Sequence, residues 1–265
     1  MTNVFGNVVN VKQYPLLDSN FRNHCKQKLD EDSVLVLDNF LTSLAIDSIK
    51  AEGKDNQHLA YFAEKNHNIY LLPPDAEFSP DHPRNREVVS SKGCITTDQI
   101  PDSSALRVLY EAPQFRDFLC AVLDIEELHE YVDPLSSINL HYASNGQELG
   151  WHFDNSSFAI TLLIQPPEDG GSFEYVRDVR NADHGDMNYP LSQRILDGEI
   201  PPVKLSLCAG SLVLFRGRNS IHRVTPARGS QPRMLVVLAY NTEPGIALSE
   251  SARMTFYGRL GGTND

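Results

Sequence analysis

Two imidazoles and one carboxylate stand out among the residues able to do chemistry. His152 and Asp154 lie two apart in ELGWHFDNSSFAITLLIQ, residues 148–165, a run rich in Phe, Ile, Thr and Leu that reads as a strand. Residues i and i+2 of a strand point to one face, so the pair would look out together. By itself it could be a surface accident, a hydrogen-bonded couple or two thirds of a metal site. His222, in GSLVLFRGRNSIHRVTP, is the best third member: it follows a strand, precedes a Thr-Pro turn and lies 70 positions after His152 (222 − 152). Two histidines and a carboxylate bind one face of a metal and leave open positions, a set suited to iron(II). A structural zinc site would take four ligands, usually with Cys.

Arg233 follows His222 by 11 positions (233 − 222), on the next strand. A guanidinium near a metal is a bidentate clamp for a carboxylate. 2-Oxoglutarate has one carboxylate and a keto group to chelate iron and a second carboxylate for such a clamp. Tyr142, ten residues before His152, is a phenol that could bind the same group. His141 beside it should face the opposite side and reads as a structural histidine. Asn155 either touches substrate or closes a turn, and Trp151, the single tryptophan, is packing or pocket wall. Arg84 and Arg86 would suit a substrate carboxylate as part of a lid, or are solvated loop charges. Asp133 and Glu148 would suit a substrate ammonium, or are surface charges.

The composition bounds these readings. The chain has 265 residues, 41% hydrophobic and 22% charged, with a net charge of −12 and a pI near 5.1. Such an acidic chain is a poor partner for nucleic acid or an anionic membrane. No apolar run exceeds strand length, and MTNVFGNVVNVKQYP lacks the pattern of a secretory leader. Four scattered cysteines form no CxxC pair, so a reducing cytoplasm is the expected location.

The elements that must position these residues divide by texture. SVLVLD (33–38) reads as a strand, and NFLTSLAIDSIKAEG as a helix stopped at Gly53. Residues 72–102, with five prolines, read as an extended loop. Ser103 or Ser104 can cap ALRVLYE, and APQFRDFLCAVLD reads as a helix with Pro113 in its first turn. From residue 136 the pattern alternates: SINLHYA, FAITLLIQ, GSFEYV, VKLSL, GSLVLFRG and RMLVVLAYN are six strand candidates separated by turn signals. The expectation is one domain over 1–265: a helical part with its loop (1–135), a β-barrel or jelly-roll core (136–242) and a C-terminal extension (243–265).

The order Tyr142, Gly146, His152-x-Asp154, DGG (169–171), AGSLVLFRGRNSIHRV and Arg233 resembles the Fe(II)/2-oxoglutarate-dependent dioxygenases over about residues 136–242. SVLVLDNFL looks like a usual entry to that fold. More narrowly, YVDPLSSINLHYASNGQELGWHFDNSSFAITLLIQPPEDGGSFEYV, RNSIHRVTP and DHPR look like the group of radical halogenases and hydroxylases of free amino acids, lysine above all, and this match covers most of the chain. The resemblance implies a mainly β fold with N-terminal helices and a double-stranded β-helix core, jelly-roll and cupin-like. It implies Fe(II) held by His152, Asp154 and His222, 2-oxoglutarate held by Arg233 and Tyr142, O2 as oxidant, and a small-molecule substrate. That fold has eight core strands, so two are unassigned by the six candidates. Halogenases of the group carry Gly or Ala at the carboxylate position, where a halide binds. Asp154 fills it here, so hydroxylation of an unactivated carbon is expected, releasing succinate and CO2, with no protein general base. The alternatives are an oxygenase of a protein side chain or another small metabolite, and a metal-binding barrel without turnover.

Overall fold

The computed structural model describes residues 4–261. The chain begins with helices α1 (Val4–Val8) and α2 (Ser19–Asp32), strand β1 (Val34–Leu37) and helix α3 (Ser43–Asn56). Caps set their starts: Asp18 accepts from Phe21 N–H at 2.8 Å, and Thr42 accepts from Ala45 N–H at 3.2 Å. The helix expected to stop at Gly53 continues to Asn56. Gly53 is instead a point of close approach, where a Cβ would meet Leu140 at 2.9 Å and Met234 at 3.0 Å. Strands β2 (Tyr61–Asn68) and β3 (Glu87–Ile95) follow. The loop expected over 72–102 is therefore cut short by a nine-residue strand. Its four nearest prolines sit before that strand and Pro101 after it, so a composition read across the whole stretch hid EVVSSKGCI. Helices α4 (Ala105–Tyr110) and α5 (Pro113–Leu123) form as expected, with Ser104 as cap and Pro113 in the first turn.

The rest is β-rich: β4 (Ile138–Ala143), β5 (Leu149–His152), β6 (Ala159–Gln165), β7 (Asp169–Gly170), β8 (Phe173–Val176), α6 (Tyr189–Leu196), β9 (Val203–Lys204), β10 (Leu212–Phe215), β11 (Ile221–Val224), β12 (Ala227–Arg228), β13 (Arg233–Leu238) and α7 (Glu250–Tyr257). The antiparallel order is β1-β10-β6-β13-β4-β3-β5-β11-β8-β9, with β2 on β3. Long strand β3 turns the corner: Gly93 pairs with Tyr142 of β4, and Ser90 with Leu149 of β5. This curls the path into two four-stranded sheets, β10-β6-β13-β4 and β5-β11-β8-β9. They meet where Phe173 and Tyr175 of β8 pack against Phe215 of β10, with ring centroids 5.0 and 5.5 Å apart. Within these two sheets, the two strands absent from the six candidates are β5 and β11, four residues each, and they carry His152 and His222. A polar ligand in so short a strand breaks the apolar alternation that signals it. VKLSL forms only the two-residue β9.

The N-terminal helices cover the outer face of the β10-β6-β13-β4 sheet. Leu140, Tyr142, Met234 and Val236 pack there with Ile49, Leu106 and Phe115 in the main core. Among the described residues no helix is long and apolar enough to cross a membrane.

Candidate metal centre

His152 and His222 are direct cross-strand partners on β5 and β11, so both imidazoles share the inner face, their ring centroids 4.1 Å apart. The register slips by one residue beside them, a bulge that aims a side chain. Each ring is oriented by its own backbone: Nδ1–H of His152 donates to Gly150 O (2.8 Å), and that of His222 to Ser220 O (3.1 Å). That tautomer leaves both Nε2 lone pairs bare, as metal ligation requires. Burial and the nearby His222 hold His152 well below its usual imidazole value, so it is neutral. Phe173 and Phe215 wall the His222 ring at 5.5 and 4.7 Å.

Asp154 is not part of the strand that carries His152, contrary to the expectation: β5 ends at His152 and β6 begins at Ala159. The backbone just beyond the strand is pinned on both sides. Phe153 N–H donates to Ile69 O (2.8 Å) and Asp154 N–H to Gly217 O (3.0 Å). Asp154 Oδ1 thereby lies 3.6 Å from each Nε2, and the three ligand atoms fall within 4.8 Å of one another. Ligands at about 2.0–2.2 Å from one ion stand roughly 3 Å apart at right angles and up to about 4.4 Å when opposed. Asp154 Oδ2 is buried with no hydrogen-bond partner. Beside it Gly217 has no side chain, and a Cβ there would stand 2.6 Å from Asp154 Cγ and 3.0 Å from His222 Cε1. Two imidazoles with their Nε2 atoms turned inward, an orphaned carboxylate oxygen and a cleared wall fit a divalent cation.

A second group lines the inner face. Arg233 opens β13 opposite Ala143 and is 6% exposed. Its guanidinium has no hydrogen bond or ion pair among the described residues, and burial brings its pKa down to about 10, still charged at neutral pH. Tyr142 does not join it. Its register partner is Met234, on the helix-covered face, and its phenol donates to Gly53 O at 2.6 Å. The period of two puts neighbouring residues on opposite faces but does not say which face is inside. The inward residue is His141, whose Nδ1 lies 3.3 Å from Lys92 Nζ.

The remaining candidates separate. Asp133 is consumed structurally: its carboxylate accepts from Leu135 N–H (3.1 Å), Ser136 Oγ (2.8 Å) and Leu248 N–H (2.9 Å), which removes it from substrate binding. Glu148 is half-buried just before β5, its carbonyl accepting from Ser91 N–H at 2.8 Å. Asn155 is exposed immediately after Asp154, its carbonyl held by Arg218 at 3.0 Å. Arg84 has a buried Nη1 without a partner. Arg86 is a strut, bound to Asp197 (2.5 Å) and Leu196 O (3.3 Å) at the end of α6. Trp151 is packing, with Arg223 over its ring at 4.7 Å.

Sequence reasoning missed Lys92, Gly217 and Arg180. Arg180 braces the ligand segment: its guanidinium lies 4.2 Å over the Phe153 ring, Nη2 is 3.4 Å from Asp154 O, and Nε donates to Arg218 O at 2.7 Å. None has a local signal, since each matters through a neighbour remote in sequence.

Comparison with known proteins identifies the group. The profile of the family described as HalD, Halogenase D, matches residues 17–255. The chain belongs to the halogenase D family. Solved structures share its fold at low identity. A 2OG-Fe(II) oxygenase family oxidoreductase from Burkholderia pseudomallei is 14% identical, with 84% of this chain and 92% of that one covered and a TM-score of 0.53. SnoN, a non-heme alpha ketoglutarate dependent epimerase from nogalamycin biosynthesis, is 12% identical over 84% and 81%, TM-score 0.58. SnoK, a carbocyclase of the same biosynthesis, is 10% identical over 91% and 93%, TM-score 0.58. No curated protein matches. This halogenase D family chain therefore has the double-stranded β-helix of the 2-oxoglutarate oxygenases, with a carboxylate beside its two histidines.

Proposed function

We propose that the chain is a 2-oxoglutarate-dependent Fe(II) hydroxylase of a free amino acid, lysine or a related basic amino acid. The observation that carries hydroxylation is Asp154: a carboxylate stands where halogenases of the resembled group leave room for a halide, and its oxygen is 3.6 Å from both histidine Nε2 atoms. Bound there, Fe(II) with 2-oxoglutarate and O2 supplies the oxidation of an unactivated C–H bond, releasing succinate and CO2.

The chain's own residues supply position and charge. His152, Asp154 and His222 occupy one face of the metal and leave the other for co-substrate and O2. Arg233, buried and unpartnered, receives the distal carboxylate of 2-oxoglutarate. Arg84, with its buried and unpaired Nη1, supports a carboxylate on the substrate. Asn155 sits at the rim of the centre. Glu148 is the acidic candidate left for a substrate ammonium.

Mass spectrometry of a free amino-acid mixture incubated with protein, Fe(II), 2-oxoglutarate, O2 and chloride tests this. A basic amino acid should gain one oxygen atom, with succinate released in equal amount. Turnover of peptides alone would sink the free amino-acid reading, and a chlorinated product from the unaltered protein would sink the hydroxylase reading.

A further inference from the structure

Lys92 lies on β3, in a stretch that reads as loop in the sequence. Antiparallel pairing of Gly93 with Tyr142 sets Lys92 beside Ala143, on the face opposite Tyr142. Arg233 pairs with Ala143 from the other side. Two cations thus flank one small residue on three adjacent strands, and His141 sits one pleat along. No carboxylate lies within ion-pair distance of Lys92 or Arg233 among the described residues.

The order of these groups follows the strand order β13-β4-β3-β5, which carries Arg233, His141, Lys92 and His152 in turn. His141 is held well below the usual imidazole value by burial and then by the charges of Lys92 and Arg233. The sequence in space is therefore Arg233, His141, Lys92, metal ligands. Neutral His141 accepts one ammonium hydrogen at 3.3 Å. An ammonium carries three, and the other two have no acceptor among the described residues. A half-buried cation without a counter-charge is unfavourable for folding, so its retention here calls for an anion.

We infer that Lys92 binds 2-oxoglutarate at the end opposite Arg233, donating to the carboxylate that lies against the metal while His141 steers the ammonium. This rests on the reading that 2-oxoglutarate is the co-substrate. Two cations and one Asp154 carboxylate then face a dianion that spans the row, and the positions of the two arms set which dicarboxylate length is accepted.

Calorimetry on the Mn(II)-loaded full chain tests this without turnover, with 2-oxoglutarate and oxalate as probes. Oxalate retains the metal-chelating end and lacks the distal carboxylate. Lys92→Met should weaken both probes about tenfold to a hundredfold, the loss expected for one charge-assisted hydrogen bond. Arg233→Ala should weaken 2-oxoglutarate alone. Lys92→Arg, which keeps the charge, should recover part of the loss. Because Met removes an unpaired cation without opening space, metal-free Lys92→Met should melt no lower than the unaltered chain. Unchanged binding of both probes to Lys92→Met would overturn the inference, and so would weakening of 2-oxoglutarate with oxalate unaffected. If the unaltered Mn(II) protein binds oxalate but not 2-oxoglutarate, the co-substrate reading itself fails.

Discussion

Gly217→Ala should remove the metal without unfolding the protein. The new methyl would stand 2.6 Å from Asp154 Cγ and closer still to Oδ2. Real Cβ contacts do not fall below 3.0 Å, so Cγ must retreat by at least 0.4 Å (3.0 − 2.6) and the oxygen by more. Gly217 has no positive φ, so alanine adds no backbone strain. The clash is relieved by rotating a side-chain tip, which takes the carboxylate off the metal. Changing a group that merely supports a ligand lowers metal affinity about 10–100-fold, and losing a ligand should cost at least that, or about 1.4–2.8 kcal/mol. Folding of the metal-free chain should hold or gain about 0.4–1 kcal/mol, because alanine restricts the unfolded state. The two effects have opposite signs, which no general damage to the fold would produce. Calorimetric Mn(II) titration, followed in parallel by fluorescence of Trp151 next to His152, measures the first, and thermal melting of metal-free protein measures the second. In an Asp154→Ala background the same change should cost no further affinity. Mn(II) affinity within twofold of the unaltered chain would refute the assignment of Asp154 as a ligand.

Tyr142→Phe should destabilise the fold by about 1–3 kcal/mol in urea denaturation, since the Gly53 carbonyl loses its donor, with 2-oxoglutarate affinity unchanged; a large loss of that affinity would return Tyr142 to the co-substrate site. Asp154→Gly should lose most hydroxylation and give little or no chlorinated product in high chloride, because radical placement depends on groups around the ligands; full hydroxylation by this variant, read by product mass, would exclude Asp154 from the metal. His141 and His152 are both depressed, by burial first, so below about pH 6.5 the unfolded chain takes up protons that the folded chain refuses. Metal-free stability should therefore be intact above 6.5 and fall as pH drops, by up to about 1.4 kcal/mol per pH unit for each imidazole, and His141→Gln should remove one share; a stability curve flat from 7 to 5 contradicts this. Arg86→Ala breaks a part-exposed ion pair with Asp197 and should shift stability by less than about 1 kcal/mol, checked by the same denaturation.

The types of residue needed for the chemistry were legible from the chain alone. His152, Asp154, His222 and Arg233 carry distinctive ligand or clamp groups beside strand-like runs, and the structure brings the first three together and sets Arg233 on the same inner surface. The cap at Ser104 and the first-turn Pro113 of α5 were also local, because a helix satisfies its hydrogen bonds within a few residues. Phase was not legible. Tyr142 and His141 alternate in either reading, and only the packing of α3 against one face decided that Tyr142 points out and His141 in. Nor were the partners contributed from afar. Lys92 reaches His141 across 49 positions of sequence, and Gly217 clears space for a carboxylate 63 positions earlier (217 − 154). Sheet pairing joins strands by shape and register, not by proximity along the chain, so residues whose role is to face or make room for another strand acquire it only when the sheet closes.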